Sequence, residues 1–349
     1  MQEDMIVQAN GTVKLENYIF SGLDSSVVGA VKSVADYYQI PVTASRIYGM
    51  TGLAFLHVLD DDMVEPNGGP PDPEVYRLAR NIGFNIEGFH TTAEGEEFTR
   101  LQAEAWDRAR QAISAGQPVF AKNIDIRNQT SVIYAHDDIG YYRYNWHTGY
   151  ENSEDVIPWN SLGLGQCPCI HCVNDRKSSG TLTDQSSGLI SLHWGEPIQS
   201  ADERTSLKEA LEFVIRLNEQ GSYQSFGKSY LVGSQAYEKW LSALESNKLD
   251  KYFFSLFIEI LFEARSHAIT FLTELKGNLD HLNSGIIDEL IHTYTEIASK
   301  YKVLKETYPY TEPREFELKQ SEQCAVILRE LMALDGEAMG RIKEIYSAL

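Results

Sequence analysis

Residues 21–58 read SGLDSSVVGAVKSVADYYQIPVTASRIYGMTGLAFLHV, and the fold turns on how this stretch is parsed. Val27, Val28, Val31, Val34, Ala35 and Tyr38 recur at the interval that gathers side chains on one face of a helix. Asp24 and Ser25 are both available to cap its first N–H groups, so a largely buried helix is expected from Ser25 or Ser26 to about Tyr38. Gly49 and Gly52 then flank Thr51 and lead into the apolar run from Leu53 to Leu56. Lacking a Cβ, they permit a tight backbone passage, expected to run under the central helix.

Further along, EFTRLQAEAWDRARQAISAG (97–116) has the amphipathic period of a helix closed by Gly116. QPVFAKNI (117–124), TSVIYAHDD (130–138) and IGYYRYNW (139–146) read as strands separated by polar turns. From about residue 204 the pattern becomes almost wholly helical, through RTSLKEALEFVIRLNEQG (204–221), VGSQAYEKWLSALES (232–246), YFFSLFIEILFEARSHAITFLTELKG (252–277) and GIIDELIHTYTEIASKYKVLKETYP (285–309). A last helix is expected over about 315–348. Ser234 is the expected cap of the second of these helices, with Tyr237, Trp240, Leu241 and Leu244 as its packing face. Arg265 falls inside a buried-looking helix and so requires a partner, a carboxylate or a ligand anion. The expected division is 1–203 and 204–349, the helical part packed on the first.

A formal charge of −20, from 50 acidic against 30 basic residues, opposes non-specific attraction to phosphate backbones and anionic lipid. No nucleic-acid and no membrane partner is expected. The start, MQEDMIVQAN, has neither a basic nor an apolar signal region, and YFFSLFIEILF is broken by Glu259 and falls short of the ~20 residues a bilayer span needs. A cytoplasmic protein is expected.

Three of the four cysteines lie in GQCPCIHCVND (165–175). Cys167, Cys169 and Cys172 offer three soft ligands, which zinc would accept with His171, Cys324 or a second chain completing the tetrahedron. Neighbouring side chains on a short turn point apart, which favours Cys324 or a second chain over His171. A redox-active pair and a solvent-side loop without metal are the other readings, and the residues leave all three open.

The order of several soft motifs carries a resemblance. SGLDSSVVGAVKSVADYYQIPVTASRIYGMTGLAFLHV, AGQPVFAKN, SVIYAHDDIGYYRYN, VGSQAYEKWLSAL and EARSHAITFLTEL together look like the papain-like family of the butirosin-biosynthesis H protein, over roughly residues 18–305. More distantly they are similar to bacteriocin-processing cysteine peptidases. The resemblance implies an α+β, papain-like domain with an antiparallel strand meander, followed by an all-helical C-terminal region. It implies a nucleophile at the N-terminus of the central helix, where Ser26 stands beside Ser25. It implies a base histidine at the start of the strand that follows, where Asn128 or Gln129 stands instead, and an orienting residue matched by Asn145. The oxyanion-hole glutamine has no counterpart. His136 and His147 are the alternative candidates for the base. The cysteine loop is not this fold's catalytic centre unless it folds back over the cleft. Two functions follow: a catalytically degenerate papain-like domain that binds a small molecule, peptide or carrier protein, or an acyltransferase or hydrolase using Ser26 with a non-standard base. A homo-oligomer is compatible with either.

Overall fold

The computed structural model describes residues 5–7, 11–65, 71–146, 155–167, 170–179, 186–278, 284–311, 318 and 321–349. The chain opens with β1 (Met5–Val7), β2 (Val13–Leu15), α1 (Ser26–Tyr37), α2 (Ala44–Met50), β3 (Val58–Asp60) and α3 (Asp72–Leu78). It continues through β4 (Phe84–Glu94), α4 (Gly95–Ser114), β5 (Val119–Lys122), β6 (Thr130–His136), β7 (Gly140–Arg143), β8 (Ile157–Pro158), α5 (Ile170–Ser179) and β9 (Ser187–Pro197). The last part holds α6 (Glu203–Gln220), β10 (Ser222–Ser225), β11 (Lys228–Val232), α7 (Ser234–Glu245), α8 (Lys251–Asn278), α9 (Ser284–Thr307) and α10 (Ser321–Ala348). The protein is thus mixed α/β, with antiparallel sheets and a helical C-terminal part.

Packing divides the chain into two units, 1–42 with 83–199, and 43–82 with 200–349. This differs from the expected cut between 203 and 204, because residues 43–82 are held by partners in the helical part. β3 pairs with β11. Gly49 on α2 lies so close to the Phe271 ring of α8 that a Cβ would collide with it, and Gly52 at φ +77° sits 2.7 Å from Val214 by the same test. The glycine passage therefore runs against α8 and α6.

In the first unit the sheet order is β1-β2-β6-β5-β9-β4, with β7 pairing β6 and β8 pairing β7. Helix α1 is buried along most of its length, as its valine spacing requires. Val34 of α1 meets Gly195 of β9, while Arg108 of α4 lies over the Trp194 ring, and neighbouring strand residues point to opposite faces. The sheet is therefore covered on both faces. That double cover explains why Val119, Phe120 and Ala121 of β5 are all buried and show no alternation. The longest strands, β4 and β9, pair along 11 residues each, yet neither was legible: β4 is polar and mostly exposed or half-buried.

In the second unit β10, β11 and β3 form a small antiparallel sheet beside the helices. The hairpin interrupts a region that reads as wholly helical. Helix α6 ends where expected, on Gly221 in the left-handed conformation at φ 68°. Helix α7 begins with Ser234 as its first helical residue, and Gly233 at φ 60° takes the capping position. Arg265 finds internal partners: its Nη1 donates to the Ala54 and Leu56 carbonyls at 2.8 and 3.2 Å, and its Nη2 pairs with Asp335 at 3.3 Å.

Candidate functional site

The N-terminus of α1 is built into a corner of the first unit. Ser25 has extended backbone and makes no side-chain capping bond, so the hydroxyl-cap expectation fails for it. Ser26, the first helical residue, is fully buried, and its Oγ accepts the Thr130 N–H at 3.1 Å. The start of β6 is thereby tied to the start of α1. The loop before the helix folds along it, with Ser21 N–H donating to Ser33 Oγ at 2.9 Å and Ser21 Oγ donating to the Gly29 carbonyl at 3.0 Å. This lays Phe20 over the first turns, 2.5 Å from where a Cβ on Gly29 would stand. Phe20 stacks on Tyr144 and meets Trp146 edge-on, both with ring centroids 4.7 Å away.

Beneath the aromatic group lies a polar turn. Asn123 and Asn128 adopt left-handed backbone, which asparagine tolerates better than most residues, and they reverse the chain between β5 and β6. Asp125, wholly buried in this turn, accepts from Ile126 N–H at 2.8 Å and Ser131 Oγ at 3.1 Å through Oδ1, and from Trp146 N–H at 3.4 Å through Oδ2. Trp146 Nε1 donates to the Thr130 carbonyl at 2.9 Å. Burial pushes the Asp125 carboxyl above the usual range, against the opposing pull of the Arg143 guanidinium.

Of the residues named from the sequence, Ser26, Gln129 and Asn145 fall on the three segments that meet here. Gln129 is nearly buried next to Thr130, and Asn145 is fully buried beside Trp146. His136 does not belong to this group. It ends β6, six residues beyond Thr130, which at ~3.3 Å per strand residue is about 20 Å away. There it packs edge-on against Trp106. Its candidacy as a base for Ser26 fails on that distance, and burial further lowers its pKa. His147 lies outside the described residues.

The cysteine segment does return to this corner. Gln166 bridges Ile126, and the Gly163 and Gly165 N–H groups donate to the Asn123 carbonyl at 3.1 and 3.0 Å. Cys167 is buried next to this turn, close enough to Asp125 to raise its carboxyl pKa further. Cys169 lies outside the described residues, as does the side chain of His171, while Cys172 is half-buried on α5. Cys324 is buried on α10, where burial pushes its thiol up to about 12. Among the described residues no three His, Cys, Asp or Glu side chains are grouped to hold a metal ion, and two members of the expected zinc set, Cys169 and the His171 side chain, lie outside those residues.

Sequence reasoning missed Phe20, Asp125, Thr130, Arg143 and Trp146. The aromatic density of IGYYRYNW was the one signal that marks this strand end as more than a solvent-side turn. Among the described residues no helix is long and apolar enough to cross a membrane. No family model matches this chain and no curated protein matches it, so the corner is read from its geometry.

Proposed function

We propose that the first unit is a papain-like domain whose catalytic corner has become a binding corner, taking a small molecule, peptide or carrier partner without turning it over. One observation carries this reading. The Ser26 hydroxyl is fully buried and accepts the Thr130 N–H with one of its two lone pairs, so it helps to hold the fold. A serine nucleophile needs an adjacent base to remove its proton. Here the strand start carries Gln129 and Thr130, and the nearest histidine along β6 is at its other end. The order helix, polar turn, paired strands supports the papain-like assignment, since it brings the three expected segments to one point.

The binding surface in this reading is the half-buried aromatic trio of Phe20, Tyr144 and Trp146. Stacked aromatic faces hold apolar or planar groups at low entropic cost, while the polar turn beneath keeps them in place. The test uses the Trp146 indole N–H resonance in isotope-labelled protein, assigned by Trp146→Phe. Against a panel of neutral and acidic acyl amino acids and short peptides, a saturable shift of this resonance is expected for at least one member, with the ligand recovered unchanged. Turnover of a panel member, lost in Ser26→Ala, would overturn the reading in favour of acyl transfer. Silence of this resonance across the panel would remove the corner as a small-ligand site.

A further inference from the structure

Strand β4 closes one end of the first unit's sheet, with β9 as its one strand neighbour. An edge strand presents a row of backbone N–H and C=O groups, and proteins blunt such edges with short strands, proline, lysine or bulges. None of these devices is present in β4. It is 11 residues long, pairs with β9 without a register shift, and contains no proline, lysine or arginine. Glu87, Gly88, Thr91 and Thr92 along it are exposed.

The ladder shows which groups face outward. Just beyond its two ends, Ile198 N–H donates to the Gly83 carbonyl at 2.9 Å and Gly95 N–H donates to the Ser186 carbonyl at 2.7 Å. Bonded and non-bonded pairs alternate along an antiparallel ladder, so the odd-numbered residues of β4 bond to β9. Ile86, Gly88, His90 and Thr92 therefore turn their backbone groups away from β9. Among the described residues no hydrogen bond joins the outward groups of Ile86, Gly88 or Thr92 to another segment. Phe89 meets Trp194 with ring centroids 6.2 Å apart, on the face where Arg108 of α4 covers that indole, and Gly88 and His90 lie on the opposite face.

We propose that β4 pairs antiparallel with β4 of a second copy of this chain, about a two-fold axis at Phe89. A two-fold pairing must bring outward-facing residues opposite one another. With Phe89 on the axis, Ile86 meets Thr92 of the copy and Gly88 meets His90, each from both sides. Phe89 then meets its own copy in a non-hydrogen-bonded pair, where side chains lie closest and aromatic pairs are favourable. Glu87 stands opposite Thr91, so no like charges are opposed. Gly88 must stay glycine, since a Cβ would stand 2.2 Å from the Leu192 carbonyl, and the copy's His90 ring covers the gap it leaves. One ladder step away in either direction, Phe89 would face Glu87 or Thr91 instead. The chain charge of −20 repels a second copy, so the pair is weak and tightens as salt screens that repulsion.

The test is sedimentation equilibrium of the whole chain from about 1 µM to about 1 mM, the span of weak association, at about 0.05 and about 0.5 M NaCl. The mass should rise from 39.4 kDa toward twice that value, more steeply at high salt. Thr92→Pro removes an outward N–H without touching the β9 ladder, and should stay monomeric with an unchanged urea midpoint. Thr91→Lys sets an ammonium opposite Glu87 of the copy and Thr91→Glu a carboxylate. The lysine variant should dimerise about tenfold more tightly than the glutamate variant, and the same exchange at exposed Thr99 on α4 should differ by less than about threefold. A chain that stays at 39.4 kDa throughout overturns the proposal. So does a dimer that survives Thr92→Pro, or one that answers Thr91→Lys and Thr91→Glu alike. Should Thr92→Pro fail to fold, the Thr91 variants decide alone.

Discussion

Two fully buried arginines, one in each unit, meet opposite fates. In the helical unit, Arg265 spends its Nη1 on two carbonyls and its Nη2 on Asp335, and lies over the Tyr294 ring at 5.9 Å, which leaves its Nε alone without a hydrogen-bond partner among the described residues. Asp335 is held in turn by Tyr237, whose hydroxyl also meets that of Tyr301 at 2.7 Å. In the sheet unit, Arg143 has one carbonyl and a carboxylate beyond bonding distance. The same residue type is therefore a structural rivet in one place and an open fork in the other. Burial alone does not assign a role; what the donors reach does.

The comparison is broken most severely by replacing each arginine with methionine. Arg265→Met strands Asp335 and two loop carbonyls in the interior, and a loss of about 3–5 kcal/mol in urea unfolding is expected. Arg143→Met removes one hydrogen bond together with a charge that lacked full compensation, so a change within about 1 kcal/mol is expected. Equal losses from the two would contradict the distinction between rivet and fork.

A second contrast concerns glycines. Gly49→Ala drives a methyl into the buried Phe271 ring, and overpacking of about 1–3 kcal/mol is expected from its thermal unfolding. Gly29→Ala meets the outer edge of Phe20, a half-buried side chain able to swing aside, and touches Ser21 Oγ at an ordinary 3.4 Å, while alanine favours the helix by about 1 kcal/mol. Near-neutral stability is expected there, with the Trp146 indole resonance displaced because Phe20 moves. An unmoved resonance would show that Phe20 does not couple α1 to Trp146.

Two buried groups, one in each unit, answer pH in opposite senses. His57, buried against Tyr237 and Trp240, is held well below the histidine range, by burial first and by the Arg265 charge second. The unfolded chain takes up that proton near pH 6.5 and the native chain does not, so stability falls as pH drops below about 6.5, by up to ~1.4 kcal/mol per pH unit. Asp125 runs the other way. With its folded pKa raised, the native state holds the proton more firmly, and its contribution is lost as pH rises above the unfolded value of about 3.9. His57→Phe should flatten the acid limb of the urea midpoint against pH between about 6.5 and 5. An unchanged limb would mean that His57 is protonated in the fold.

Local signals were legible and distant pairings were not. The valine spacing of α1 and the glycines closing α4 and α6 specify helices within a few residues, and these stand. The attachment of 43–82 to the helical unit depends on β3 meeting β11 some 170 residues later, and on Arg265 reaching the carbonyls of Ala54 and Leu56. No local period encodes either. Strand β4 escaped because its polar residues and Gly88 lack the alternation of a half-buried strand. At the corner, Ser26 was legible from its place at a helix start, and the lack of a histidine near Gln129 was legible by eye. Arg143 was hidden because an arginine between tyrosines reads as an outward residue of an edge strand. Only the fold turns it inward beside Asp125.

The most direct measurement of whether this corner binds or catalyses is intact-mass spectrometry after incubation with a serine-directed fluorophosphonate and, separately, with an activated acyl ester. The buried hydroxyl of Ser26, which accepts the Thr130 N–H, predicts an unchanged mass at Ser26 in both incubations. A stoichiometric adduct mapped to Ser26, and abolished by Ser26→Ala in a chain that still folds, would contradict the account and make this corner an active site.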